Sequence, residues 1–117
     1  MGTTLFILNH GPYGSEHSYN ALRLAGALSR RDGQEVKVFL MGDAAACAMA
    51  GHKVPQGFYS IELMLRAPWR AGAEIAVCGS CMDARGIADA HLAEGAKRGS
   101  LDQLTAWTIR ADKVLVF

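Results

Sequence analysis

Short, continuous apolar runs alternate along the chain with longer stretches in which apolar residues recur at helical spacing. A short apolar run bounded by turn residues is typical of a strand that is buried on both faces of a sheet. Such runs predict strands at residues 3–9, 35–42, 74–78 and 113–117. A further, shorter strand is expected near residues 96–98.

The stretches with helical spacing predict helices between these strands. Helices are expected from Ser15, from Ser60, and just before the last strand, where Ser100 and Gln103 match a capping box. The hydroxyl of Ser15 is expected to cap the first helix by accepting a hydrogen bond from an amide of its first turn. Pro68 is expected to end or kink the second helix, because proline has no N–H to donate.

The alternation of strands and helices predicts the fold class. Parallel strands joined by right-handed helical crossovers give a three-layer α/β/α arrangement around an open sheet. At 117 residues, the chain is expected to form a single α/β domain over residues 1–117. In such sheets, ligands gather beyond the C-terminal ends of the strands. The loops expected there are HGPYGSE, MGDA and CGSCMDARG.

The charges are almost balanced, with 12 Lys and Arg against 11 Asp and Glu. Binding to nucleic acid or to an anionic membrane needs a clustered basic excess, so neither partner is expected. The N-terminal sequence MGTTLFILNHG has no basic segment before its short apolar run, so no export signal is predicted and a cytoplasmic location is expected. In that reducing compartment, the three cysteines are not expected to form a structural disulfide framework.

The sequence CGSCMDARGI contains two cysteines, Cys78 and Cys81, at CxxC spacing. A zinc site would need further ligands, and the predicted topology places only His10 within reach of Cys78. No metal site is therefore predicted. Thiol–disulfide exchange suits the spacing. However, Cys78 is predicted to be the last residue of a strand, whereas in thioredoxin-like proteins the pair begins a helix.

The remaining interpretation is a nucleophilic thiolate at Cys78 that accepts and passes on a sulfane sulfur. This role needs a lowered pKa and partial exposure to solvent. The backbone amides of the turn at Gly79 and Ser80 and the cation of Arg85 are candidates for stabilising the thiolate and the persulfide.

A purely structural interpretation stands beside this one. A cysteine after an apolar strand is often a small buried hydrophobic residue, which would account for Cys78 without any chemistry. Arg85 would then form a surface ion pair with Asp83 or Asp89. Cys47, in an alanine-rich segment, is expected to be buried and inert.

Several segments in the same order resemble the DsrE/DsrF-like family, and most closely its YchN-type members. They are GPYGSE (11–16), LRLAGAL (22–28), VFLMGDA (38–44), CGSCMDARGI (78–87) and LTAWTIRADKVLVF (104–117). The resemblance covers essentially the whole chain. It implies an open, mainly parallel five-stranded sheet with helices on both sides. It also implies a homo-oligomer, commonly a trimer or hexamer.

The resemblance also implies roles for individual residues. Sulfur-relay members of the family carry a persulfide on a cysteine that corresponds to Cys78, whereas the second cysteine, Cys81, is shared only with the YchN-type members. Tyr13 lies in the family loop after the first strand, and Asn9 and Glu16 flank this loop as candidate contacts for a bound sulfur species.

The resulting hypothesis is a cytoplasmic, homo-oligomeric sulfane-sulfur carrier that uses Cys78, with Cys81 as an auxiliary thiol. It needs no dissociable cofactor, and its partners would be sulfur donor and acceptor proteins. The alternative is a non-enzymatic binding or redox-sensing protein in which the CxxC pair is a disulfide switch or a metal site.

Overall fold

The computed structural model describes the whole chain, residues 1–117. Its strands are β1 (Gly2–Leu8), β2 (Gln34–Leu40), β3 (Glu74–Cys78), β4 (Ala96–Gly99) and β5 (Lys113–Val116). Its α-helices are α1 (His17–Ser29), α2 (Ile61–Arg70), α3 (Gly79–Ala84) and α4 (Leu101–Arg110), and two 3₁₀ helices span Gly42–Ala48 and Asp89–His91. Every predicted strand is therefore present, with bounds within two residues of those expected.

The strands form one sheet in the order β4-β3-β2-β1-β5. Each neighbouring pair is parallel, so the C-terminal ends of all the strands lie along one edge of the sheet. This confirms the predicted open parallel sheet. In the register of β3 with β4, Cys78 lies opposite Gly99.

Helices cover both faces of the sheet and produce the predicted three layers. On one face, α1 and α2 pack on a cluster that includes Phe6 and Val38. On the other face, Leu104 and Trp107 of α4 pack on Leu5 and on the side of the sheet that faces away from α1. Burial on both sides explains why the inner strands β1, β2 and β3 are continuous apolar runs rather than alternating ones.

Two predicted helix signals differ from the structure. The prediction that Ser15 caps α1 is wrong: the residue before the helix is Glu16, without a side-chain capping bond, and the buried Ser15 hydroxyl has no hydrogen-bond partner. Pro68 lies inside α2, which continues to Arg70 before it ends. Proline has no backbone N–H, so one hydrogen bond is missing in the last turn of α2. The loss of this single bond does not end the helix at Pro68.

The cap of α4 is partly as predicted. The hydroxyl of Ser100 accepts a hydrogen bond from the Gln103 amide at 3.1 Å, but the Gln103 side chain returns no bond to Ser100. None of the helices is both long enough and apolar enough to span a lipid bilayer.

Candidate functional site

Cys78 lies where strand β3 turns into helix α3. It is the last residue of the strand and the residue immediately before the helix, and its sulfur accepts a hydrogen bond from the Cys81 amide at 3.4 Å. The hydroxyl of Ser80 lies 3.3 Å from the same sulfur. Space at Gly79 is limited, because a Cβ there would lie 3.0 Å from Nη1 of Arg98 and 3.1 Å from the carbonyl oxygen of Gly99.

This geometry corrects one argument from the sequence. The CxxC pair does begin a short helix, with Cys78 before its first turn and Cys81 inside it. The prediction that Cys78 ends the strand is confirmed, but the inference that this distinguishes the site from a thiol–disulfide exchange motif is wrong, because a helix follows directly. A sulfur at the N-terminal end of a helix is close to free backbone amides, which favour the thiolate.

The two thiols have pKa values that are shifted in opposite directions. Burial raises the pKa of Cys78, but hydrogen bonds from Cys81 and Ser80 outweigh this effect and bring it below its ordinary value. Burial and the hydrogen bond to Cys78 raise the pKa of Cys81, and the amide of Gly42 and the cation of Arg85 offset this only in part. Because the two groups titrate as a coupled pair, the state that carries one negative charge has the thiolate on Cys78 and the proton on Cys81.

Cys78 opens into a cleft of about 510 Å³ between α3, β4 and the start of α4. Gly79, Ser80 and Cys81 also line the cleft. The apolar part of the lining consists of Phe39, Met41, Leu101 and Leu104, and Cys78 itself packs against the buried cluster that contains Phe39 and Leu104. Half-buried Cys78 is thus reachable from solvent, so the interpretation of this residue as a fully buried hydrophobic side chain does not fit the structure.

The charged residues in the lining of the cleft are Arg98 and Asp83, and neither is a site residue predicted from the sequence. The guanidinium of Arg98 contacts Asp89 at 2.7 Å and Asp83 at 3.1 Å, and it donates to the carbonyl oxygen of Gly79 at 3.1 Å. Strand β4 places Arg98 there, beside the end of β3. A weak strand pattern was the only signal in the sequence that could have pointed to this residue.

Arg85 is on the other side of α3. It forms an ion pair with Asp43 at 2.9 Å and donates to the carbonyl oxygen of Cys81 at 3.1 Å. The expected surface pairing of Arg85 with Asp83 or Asp89 is wrong, because Arg98 takes both of these carboxylates. Arg85 therefore acts electrostatically on Cys81, not on the Cys78 sulfur as the sequence suggested.

The loop after β1 does not reach the Cys78 cleft. The hydroxyl of Tyr13 contacts Nδ1 of His52 at 2.9 Å and accepts a hydrogen bond from the Ile61 amide at 3.1 Å. Tyr13 lines a separate cavity of about 580 Å³ together with Arg85. A ligand-binding role for this pair stays a prediction, and the structure separates it from the chemistry at Cys78.

Asn9 and Glu16 also lie away from the cysteines. The backbone N–H of Asn9 donates to the carbonyl oxygen of Phe117 at 2.9 Å, so this residue connects the end of β1 to the C-terminus. Glu16 precedes α1 and lines a shallow cavity beside Phe117. Neither residue is among those that line the Cys78 cleft.

The third cysteine and the first histidine lie together behind α1. Cys47 is fully buried, its thiol donates to the carbonyl oxygen of His10 at 3.6 Å, and burial raises its pKa to about 11. The ring of His10 stacks on that of His17, with 4.0 Å between ring centres. No group of three or more His, Cys, Asp or Glu side chains is arranged to hold a metal ion.

Comparison with known proteins places this site in a family. The model of the DsrE/DsrF-like family matches residues 3–117. The chain belongs to the DsrE/DsrF-like family. It is 38% identical to the protein YchN of Escherichia coli K12 over the full length of both chains. It is 32% identical to an uncharacterized protein of Methanopyrus kandleri, over 95% of this chain and 90% of that protein.

Solved structures agree with the family assignment. The crystal structure of the E. coli YchN protein superposes with a TM-score of 0.94 over the whole of both chains, at 38% identity. A protein of unknown function from Methanobacterium thermoautotrophicum superposes with a TM-score of 0.78 over the whole of both chains, at 10% identity. The second similarity shows a shared fold only.

Proposed function

We propose that this protein is a sulfane-sulfur carrier whose acceptor is the thiolate of Cys78. The observation that carries the proposal is the place of this sulfur: half-buried in a cleft at the C-terminal edge of the sheet, with the Cys81 amide and the Ser80 hydroxyl in contact with it. These contacts stabilise a negative charge on sulfur, which is what a thiol nucleophile needs. Membership of the DsrE/DsrF-like family is consistent with this role.

The carrier reaction is a thiol exchange. The Cys78 thiolate attacks the outer sulfur of a hydropersulfide, R–S–SH, and a new S–S bond forms as the S–S bond of the donor breaks. The electron pair leaves on the thiolate R–S⁻, the proton stays on the transferred sulfur, and Cys78 becomes a hydropersulfide. An acceptor thiolate then attacks the same outer sulfur and regenerates the Cys78 thiolate.

Cys81 provides a second outcome for the loaded state. Its thiolate can attack the inner sulfur of the Cys78 hydropersulfide, which forms a Cys78–Cys81 disulfide and releases hydrosulfide, HS⁻. Burial raises the pKa of Cys81 above its ordinary value, which keeps this thiol mostly protonated and slows this loss of the sulfur. A carrier benefits from such a delay, because the outer sulfur then remains available for an acceptor.

Intact-mass measurement after exposure to a hydropersulfide donor tests the proposal. We expect one added sulfur atom per chain in the wild type and in Cys81→Ser, with the sulfur retained for longer in Cys81→Ser. Cys47→Ala is the matched control and should load normally, because Cys47 is fully buried. Equal loading of Cys78→Ser and the wild type would refute the proposal.

A thiol–disulfide switch is the second candidate, and the start of helix α3 at the CxxC pair favours it. In this case, a disulfide oxidant such as glutathione disulfide would accept two electrons, convert Cys78 and Cys81 to a disulfide, and leave as two molecules of reduced glutathione. Equilibration in glutathione buffers of defined potential should then give one two-electron transition, which is absent in Cys81→Ser. A pair that stays reduced in oxidising buffer would exclude the switch.

We further propose that the protein acts in the cytoplasm as a homo-oligomer, a trimer or hexamer. The support is a set of exposed apolar side chains near the edge strand β5: Ile109 is 79% exposed and Val116 is 66% exposed. Such side chains at an unpaired strand edge are typical of a contact surface. Sedimentation equilibrium should give a multiple of the chain mass that falls in Ile109→Asp, and a monomeric wild type would contradict the proposal.

A further inference from the structure

We infer that the Cys78 cleft selects sulfur donors that carry an uncharged, apolar group, that is, low-molecular-weight hydropersulfides of this kind rather than anionic ones. This inference rests on the proposed carrier function and adds the class of donor. It comes from the composition of the cleft walls and from the way in which the charges at the cleft are already paired.

The lining of the cleft offers an apolar surface to a bound molecule. Met41 and Leu101 are part of this lining, and Leu101, the first residue of α4, is 72% exposed. Behind them, Phe39 and Leu104 are buried in the core beneath α4. An apolar group bound here would cover the Leu101 side chain. Its own surface and that of Leu101 would then be removed from water, which is favourable in proportion to the area covered.

The charges at the cleft leave no free cation for an anionic donor. Arg98 is the cationic side chain in the lining, and its guanidinium already contacts Asp89 at 2.7 Å and Asp83 at 3.1 Å. These three groups together have one positive and two negative charges, and the Cys78 thiolate adds another negative charge. A donor with carboxylates, or an inorganic dianion, would therefore meet repulsion without a compensating ion pair.

The size of the cleft suits a small organic molecule. Its volume of about 510 Å³ is within the range of small-molecule sites, roughly 300–1,000 Å³. A donor whose sulfane sulfur contacts Cys78 can place its organic group against Leu101, which lines the same cleft. The transfer is the exchange described above: the bond between the two donor sulfurs breaks, the apolar thiolate leaves, and the sulfur and its proton stay on Cys78.

A comparison of the loading rates of two donors tests the inference. Benzyl hydropersulfide and glutathione hydropersulfide would each be reacted with Cys81→Ser, and sulfur loading of Cys78 would be followed by intact mass. Each rate is divided by the rate of the same donor with a small free thiol, which removes intrinsic reactivity. We expect the normalised ratio to favour the benzyl donor by about tenfold, the effect of burying part of an aromatic ring.

Two variants and one control locate the effect. Leu101→Ser should reduce the ratio by roughly threefold or more, because a large part of the apolar contact is lost. Leu63→Ser is the matched control: Leu63 is an exposed leucine in the first turn of α2, outside the cleft, and its removal should leave the ratio unchanged. Asp83→Asn should raise the glutathione donor's rate, because Arg98 then keeps only one carboxylate.

The outcomes separate this inference from the carrier function. Equal normalised rates for both donors, or the same ratio in Leu101→Ser and Leu63→Ser, would overturn the donor preference and leave the carrier function standing. A failure of both donors to load Cys78 would overturn the carrier function itself, and the preference with it.

Discussion

The hydroxyl of Ser80 offers a direct test of how the site activates sulfur. It lies 3.3 Å from Cys78 Sγ and donates to the sulfur when this is a thiolate. Burial raises the pKa of Cys78. The hydrogen bonds from Cys81 and Ser80 outweigh burial and bring this pKa below its ordinary value. A donor that stabilises the charged form lowers the pKa, so Ser80→Ala should raise the pKa of Cys78.

The size of the effect follows from the exposure of the contact. A hydrogen bond to a charged group contributes about 1.5–3 kcal/mol when water is excluded. Ser80 is exposed and the contact is long, so water replaces part of it, and we expect about 0.5–1 kcal/mol. At 1.36 kcal/mol per pKa unit, Ser80→Ala should raise the pKa of Cys78 by about 0.4–0.7 unit.

The rate at neutral pH is a weaker measure than the pKa. A rise of this size lowers the thiolate fraction by about 2.5–5-fold, but a thiolate of higher pKa is also a better nucleophile, with a Brønsted slope of about 0.4–0.5. The two effects partly cancel, and the observed rate should fall only about twofold. The midpoint of the pH–rate profile reports the pKa of Cys78 directly, so the change in nucleophilicity does not affect it.

The assay is the rate of iodoacetamide alkylation of Cys78 as a function of pH, in a Cys81→Ser background so that one reactive thiol is followed. The midpoint should move to higher pH in Ser80→Ala and stay in place in Ser80→Thr, which keeps the hydroxyl. A midpoint that is unchanged or lower in Ser80→Ala would show that Ser80 does not stabilise the thiolate.

Two further predictions concern the surroundings of the site. Gly95→Ala should lower the free energy of unfolding by about 2–4 kcal/mol, because Gly95 has φ +93° and a Cβ there would overlap the indole of Trp69. Gly51→Ala, with φ +86° and open space around it, should cost only about 1 kcal/mol, and equal losses in urea denaturation would contradict this. Arg85→Gln should raise the pKa of Cys81 further and slow hydrosulfide release from the loaded protein; faster release, measured with a sulfide electrode, would refute the electrostatic role of Arg85.

The predictable part of the site was the part that depends on local pattern. The apolar run that ends at Cys78 identifies a buried strand, and parallel topology then puts this cysteine at the edge where such sheets bind ligands. The cap at Ser100 could be recognised for the same reason, because its bond to Gln103 spans three residues. The Ser15 cap failed because the helix begins two residues later, at His17.

The ion pairs could not be predicted, because they join distant parts of the chain. Nearness in sequence predicts that Arg85 pairs with Asp83 or Asp89. Its partner Asp43 is 42 positions away, and only the packing of the segment after β2 beside α3 brings Asp43 to Arg85. The two nearer carboxylates are taken by Arg98, whose position depends on β4 pairing with β3.

The sequence by itself determined the five strands, the helices α1, α2 and α4, the parallel sheet, and the place of Cys78 at the end of β3. These features follow from the spacing of apolar residues and from short-range hydrogen bonds. Only the tertiary structure decided what surrounds that sulfur. It placed Leu101 in the lining of the Cys78 cleft and paired Arg98 with Asp83 and Asp89. It also directed Arg85 to the Cys81 carbonyl oxygen and placed Tyr13 in a separate cavity. These contacts arise where strand ends and helix starts converge, and the order of residues along the chain does not encode such distances directly.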